Sequence, residues 1–155
     1  MTDNTQTLLP CVRIPMTSRQ LLLPNVSIAE VVDHTTELEP GNGPEWLAGF
    51  LEWRGQRLPV ISYEAANGGT AIFPATGRGR VVVLNTIGSE HNRLPFLALV
   101  TQGIPSQTRI ESEQLLKSDK DGAGPADLML VDLEGDHASI PDLEFLERLG
   151  IQALD

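Results

Sequence analysis

The run Trp46 to Arg54 constrains the fold more than any other stretch of the sequence. Read as a strand, it places Leu47, Gly49, Leu51 and Trp53 on one face and Trp46, Ala48, Phe50, Glu52 and Arg54 on the other. Both faces are largely apolar, so this strand must be covered on both sides. A turn expected at Gly55 and Gln56 leads into a second run, Leu58 to Ile61, and the two read as a hairpin inside a sandwich or barrel.

Similar short β-type runs recur at Leu9 to Ile14, Arg19 to Leu23, Arg57 to Tyr63, Arg80 to Asn85, Leu94 to Thr101 and Leu128 to Leu133. Turn-forming residues separate them. His34 to Pro44, ending in Glu-Pro-Gly-Asn-Gly-Pro, reads as an exposed loop, and Asn67 to Gly69 and Gly122 to Pro125 read as two more. Helical signals are few. Pro24 is placed to open a single turn before the strand-like Glu30, Val31 and Val32. The clearest helix is the last: Asp142 caps it, Leu143, Leu146 and Leu149 share a face, and Gly150 is expected to end it. The fold class is therefore mostly β, with many short strands and a C-terminal helix.

Composition narrows the functions. The chain has 155 residues, enough for one ordinary domain spanning 1–155, and its 41% hydrophobic content supplies a core. Its formal net charge is −10. That charge repels polyphosphates and anionic lipid surfaces, so nucleic-acid binding is not expected, nor is membrane attachment. No apolar stretch approaches the about 20 residues of a membrane-spanning helix. Residues 1–7 lack the basic and apolar segments of a secretory signal, so a cytoplasmic location is expected. The acidity is concentrated late in the chain: Glu111 to Asp136 holds two lysines against eight carboxylates, a net of −6. A solvated acidic face explains this, and a surface that steers a basic partner is the sharper alternative.

Catalytic and metal-binding patterns are not found. His34, His91 and His137 are far apart and in no metal-ligand spacing, His34 and His137 read as exposed loop residues, Cys11 reads as a small buried hydrophobe, and Gly77-Arg78-Gly79-Arg80 lacks the Lys-Ser/Thr pair of a phosphate loop. We expect no cofactor, no metal and no enzymatic activity.

One longer phrase is specific. Ile28-Ala29-Glu30-Val31-Val32 is followed, after a loop, by Pro44 to Gly55 with the pattern Pro-x-x-apolar-x-Gly-apolar-x-x-apolar-Arg-Gly and then by Pro59-Val60-Ile61. This phrase resembles the signature region of the CheW-like family, the adaptors of bacterial chemosensory arrays. The resemblance implies two small, intertwined five-stranded β-barrels with exchanged segments and a short C-terminal helix. It also implies a non-catalytic adaptor that couples the cytoplasmic tip of a methyl-accepting chemoreceptor to the regulatory domain of a CheA-type histidine kinase, recruited to membrane arrays. It assigns kinase contact to Ile28, Glu30 and Val31 and receptor coupling to Arg54, and leaves Gly49, Gly55 and Pro59 as structural motif residues. Ile28 and Val31 equally suit a core, and the Arg54 guanidinium equally suits holding a turn. Trp46, Phe50 and Trp53 are expected in the core.

Three positions depart from the family pattern: Ser62 stands for its usual aspartate, Val100-Thr101 for its frequent Val-Asp, and Trp53 for a common leucine. These point to a divergent member, and the expected setting is a system governing type IV pili and twitching rather than flagellar chemotaxis. A stand-alone regulatory module binding one soluble protein is the alternative, and a small β-barrel enzyme using Cys11 or a histidine is a third reading.

Overall fold

A computed structural model describes residues 8–17, 19–33, 38–72, 79–111, 113, 115–118, 123–133 and 135–154. His34, Gly77, Arg78 and Gly122 lie outside them. In chain order the elements are β1 (Leu8–Pro15), β2 (Gln20–Pro24), a 3-10 turn (Asn25–Ser27), β3 (Ile28–Asp33), β4 (Glu39–Pro40), β5 (Leu47–Trp53), β6 (Gln56–Ile61) and α1 (Tyr63–Ala66). They continue with β7 (Arg80–Asn85), β8 (Phe96–Val100), β9 (Ser106–Glu111), β10 (Leu115–Lys117), β11 (Asp127–Leu133), β12 (Asp136–Pro141) and α2 (Leu143–Leu154).

The strands form two six-stranded sheets, β10-β11-β12-β2-β1-β9 and β3-β7-β8-β6-β5-β4. Each has five principal strands and one very short edge strand, β10 or β4, which matches the expected pair of five-stranded units. The chain is exchanged as expected: it starts in the first sheet, builds all of the second with β3 to β8, and returns. Parallel pairs, β12 with β2 and β6 with β8, mark where distant segments meet.

Burial follows strand alternation. Cys11, Leu22, Ile110, Val131, Leu133 and Ala138 fill the first sheet's own cluster, and Leu51, Trp53, Leu58, Val60, Val81, Val83, Ala98 and Val100 fill the second's. The opposite faces of both sheets meet in a third cluster that includes Ile14, Leu21, Leu23, Ile61, Val82, Leu84, Leu97, Leu99 and Leu146. This shared core explains why β6 to β8 read as continuous apolar runs: each contributes to the second sheet's own cluster on one face and to the shared core on the other. Trp53 and Phe50 are buried as expected, and Trp46 packs partly against the shared core.

Several boundaries differ from the sequence reading, each for a physical reason. Tyr63 does not extend β6 but opens α1, because Ser62 accepts a hydrogen bond from the Ala65 amide and turns the chain. The loop before Pro44 contains β4, paired with β5. The β5–β6 turn consists of Arg54 and Gly55, not Gly55 and Gln56. Gly150 does not end α2. It is buried inside the helix, where an added Cβ would lie 2.7 Å from Leu94 Cδ2, so the missing side chain lets the helix approach the second sheet. Asp142 caps the helix as expected, accepting from the Phe145 amide at 3.1 Å. The buried Glu147 ties α2 to the chain after β7 by accepting from the Ile87 and Gly88 amides at 2.9 and 2.7 Å.

One carboxylate joins both sheets. Asp127 Oδ2 accepts from Arg19 Nη1 at 2.7 Å, Asn67 Nδ2 at 2.9 Å and the Gly124 amide at 2.9 Å, while Oδ1 accepts from the Tyr63 and Ser139 hydroxyls. Burial alone would raise its pKa, but the Gly124 amide, the Ser139 and Tyr63 hydroxyls and the Asn67 amide hold the carboxyl below its ordinary value. Burial and the adjoining Asp127 charge push the Tyr63 hydroxyl far above its usual range.

Two pH effects follow from these shifts. The depressed Asp127 value stabilises the fold above the unfolded carboxyl's pKa of about 3.9, and that stability is lost as pH falls through the folded value; the raised Tyr63 value makes stability fall as pH climbs past about 10. Urea unfolding across pH is expected to show both slopes. Asp127→Asn should reduce the acid-side slope and cost about 3 kcal/mol at pH 7, and Tyr63→Phe should flatten the alkaline one.

Candidate functional site

The most developed surface chemistry lies where β3 meets the turn between β5 and β6. Arg54 and Gly55 make a two-residue hairpin loop with positive φ at both positions, 47° and 76°. Glycine adopts this conformation freely, whereas arginine there costs about 1–2 kcal/mol. Trp53 Nε1 and Arg54 Nη2 both donate to Glu30 Oε1, at 3.3 and 3.0 Å, and the guanidinium stacks over the Trp53 ring at 4.5 Å. Trp53 is itself held edge-on against Phe96, with centroids 4.8 Å apart.

The structure thus brings together two residues that the sequence reading assigned to different partners. Glu30 on β3 and Arg54 at the hairpin tip form one ion pair linking the β3 edge of the second sheet to the β5–β6 turn, three strands away in the sheet order. The guanidinium is directed at a carboxylate and a ring rather than at turn carbonyls. Both groups keep substantial exposure, which leaves the pair open to exchange with a partner's charges.

Beside this pair runs a free edge. Among the described residues β3 pairs as a strand only with β7. Val31 is 43% exposed on it, and Val26, on the adjoining 3-10 turn, is 82% exposed. Ile28 differs: it is partly buried and packs against the shared core. Val26 was not foreseen, since nothing in the sequence marks the side of a 3-10 turn that faces water.

The three structural motif residues sit in the β5–β6 hairpin. Gly49 faces β4 so closely that a Cβ would lie 2.4 Å from the Glu39 carbonyl oxygen. Gly55 forms the turn, and Pro59 is buried in β6. On the outer side of the hairpin, Arg57 holds Glu39 through two hydrogen bonds of 2.8 and 3.1 Å and covers the Phe50 ring.

The departures from the family pattern have local explanations. Ser62 caps α1. Thr101, fully buried, accepts from the Arg80 amide at 2.8 Å and donates to the Gly103 carbonyl at 2.6 Å, closing the end of β8. Trp53 supplies the indole donor to Glu30 that a leucine lacks.

The other chemistry-bearing residues are dispersed. His91 is exposed and rests Nδ1 against Thr86 Oγ1. His137 lies in β12, not in a loop, 2.8 Å from Asp132 on β11. Cys11 is buried, and burial raises its thiol pKa. Arg80 begins a strand rather than a phosphate loop. Among the described residues no three His, Cys, Asp or Glu side chains gather as metal ligands, and no helix is long and apolar enough to cross a membrane.

Two exchanged β-sheets around a shared core, closed by a terminal helix, define a β module whose best-formed surface is an edge strand beside an ion-paired turn. Its sequence matches the CheW-like domain over residues 10–148, and the chain belongs to that family. No curated protein matches it in sequence. Among solved structures, the scaffolding protein TtCheW from Thermoanaerobacter tengcongensis is similar, with a TM-score of 0.73 over 94% of this chain and 92% of that one at 15% identity, a likeness of fold.

The turn geometry yields a separation of stability from function. Arg54→Gly relieves the left-handed strain while losing an exposed ion pair, so its melting temperature should stay within about 4 °C of the parent's, the shift that roughly 1 kcal/mol produces in a chain this size. A much larger loss would make Arg54 a structural residue.

Proposed function

We propose that this chain is a non-catalytic adaptor that couples chemoreceptors to a CheA-type histidine kinase in a chemosensory array, acting as one unit over residues 1–155. Its place is the cytoplasmic side of the membrane, where receptor tips and the kinase's regulatory domain meet. The observation that carries this reading is the convergence of the family's motif residues: Glu30 and Arg54 share one ion pair beside the exposed Val31 on an edge strand. The type IV pilus and twitching setting is supported only by the sequence departures.

Physical roles follow from placement. Val31, with Val26, offers apolar area to the kinase's regulatory domain, and the open edge of β3 offers backbone donors and acceptors. Glu30 supplies register to that contact. Arg54 couples it to the receptor, because any partner group that draws away the guanidinium also frees the Glu30 carboxylate. An exposed pair of this kind is worth at most about 1 kcal/mol, weak enough to be exchanged on binding. Ile28 supports the strand from the core side while remaining partly accessible.

Calorimetric titration of the purified protein with the isolated regulatory domain of a chemosensory kinase from the same cell tests the reading. Saturable binding is expected, and Val31→Asp should abolish it while the near-ultraviolet circular dichroism is kept. Arg54→Glu should weaken receptor coupling with less effect on kinase binding. Absence of binding to every such kinase, with another soluble partner captured instead, would overturn the array reading in favour of a stand-alone module.

A further inference from the structure

Asparagine followed by glycine occurs twice in the chain, at Asn42-Gly43 and at Asn67-Gly68. Such a pair is chemically weak, because a glycine has no Cβ to keep its amide nitrogen from the asparagine side chain. The fold treats the two sites differently. Gly68 has a φ of 95°, in the left-handed region, so the turn after α1 requires glycine there. Asn67 is nevertheless locked: Nδ2 donates to Asp127 Oδ2 at 2.9 Å, Oδ1 accepts from the Ala126 amide at 2.9 Å, and the Gly68 amide donates to the Ala65 carbonyl at 3.2 Å. Its ψ of 14° turns the Gly68 nitrogen away from Cγ, and Gly124 packs against the Asn67 amide too closely to carry a Cβ. Asn42 and Gly43, in the loop between β4 and β5, are both exposed. Among the described residues neither the Asn42 side chain nor the Gly43 amide makes a hydrogen bond.

We propose that Asn42 is a site of spontaneous deamidation and isoaspartate formation, and that the Asp127 hydrogen-bond network shields Asn67 from the same reaction. The Gly43 amide nitrogen loses its proton to base and bonds to Asn42 Cγ, and the side-chain nitrogen leaves as ammonia, closing a succinimide ring. Water then opens the ring at either carbonyl, giving aspartate or isoaspartate, so one water is consumed and one ammonia released without an oxidant or reductant. The product carries one more negative charge, and its isoaspartate form adds a methylene to the backbone leading into β5. Asn42 makes no side-chain bond that this change would break, so the fold persists. At Asn67 the same change would set a second carboxylate against Asp127, and ring closure there must wait for local opening of the turn. The fold therefore protects the one Asn-Gly pair that its core depends on and leaves the other open.

The test is timed incubation of the intact protein in mildly alkaline buffer, followed by tryptic digestion and tandem mass spectrometry. Cleavage after Arg19, Arg54, Arg57 and Arg78 puts the two asparagines in separate peptides, 20–54 and 58–78. In the folded protein Asn42 should convert at least about tenfold faster than Asn67, whose rate is held down by the free energy of local opening, whereas in urea the two rates should be alike. Gly43→Ala should suppress conversion at Asn42 with circular dichroism and melting temperature unchanged, since Gly43 lacks a positive φ and a Cβ there meets nothing nearer than Leu47 Cδ2 at 3.9 Å. Equal rates at the two sites in the folded protein, faster conversion at Asn67, no conversion at Asn42, or an undiminished rate in the folded Gly43→Ala variant would each overturn the proposal.

Discussion

Asp127 sits where the two sheets and the chain crossings between them meet, and its side chain has no exposed surface. A carboxylate in such a place is tolerated only because its lone pairs are filled, and the donors come from separate parts of the chain: Arg19 before β2, Tyr63 and Asn67 around α1, Gly124 before β11 and Ser139 on β12. Apolar packing alone would let the two sheets slide over their shared core, since that packing is not directional. The Asp127 donors remove that freedom. They fix the β6-to-α1 corner of the second sheet against β11 and β12 of the first, and the placement of everything downstream depends on it.

The proposed interface depends on a different balance. The Arg54 turn is strained and its ion pair is exposed, so the contact with Glu30 is held by geometry more than by energy. Trp53 supplies that geometry, since it is locked against Phe96 from inside the sheet and presents both a donor and a ring face at the surface. A rigid interior residue thereby carries the position of the buried cluster out to the edge strand. An adaptor that transmits a change at one partner to another needs a link of this kind, weak in its outer contact and stiff in its support.

Legibility in the sequence followed local signal strength. β1, β2, β5, β7 and β11 were readable because apolar residues dominate them, and the Asp142 cap and leucine spacing announced α2. β9 and β12 were not readable: Ser-Gln-Thr-Arg-Ile-Glu and Asp-His-Ala-Ser-Ile-Pro present few apolar residues, and their pairing with β1 and with β2 and β11 supplies what propensity does not. Gly150 was misplaced as a terminator because a helix-ending glycine and a close-packing glycine look alike until the neighbour, Leu94, is known. Of the interface residues, Glu30, Val31 and Arg54 were named from the family phrase, but their mutual contact was invisible, since 24 residues separate Glu30 from Arg54.

The sequence by itself determined the β class, the strand covered on both faces, the acidic late segment and the family. Each of these is a property of local pattern or composition, and such properties survive without knowledge of what lies opposite. The tertiary structure alone decided that Ile28 leans on the core while Val31 faces water, and that Asp127 gathers five donors. Those outcomes turn on which distant residues come within a few ångströms, and long-range register is set by the closing of two sheets around one core rather than by any stretch of chain read alone.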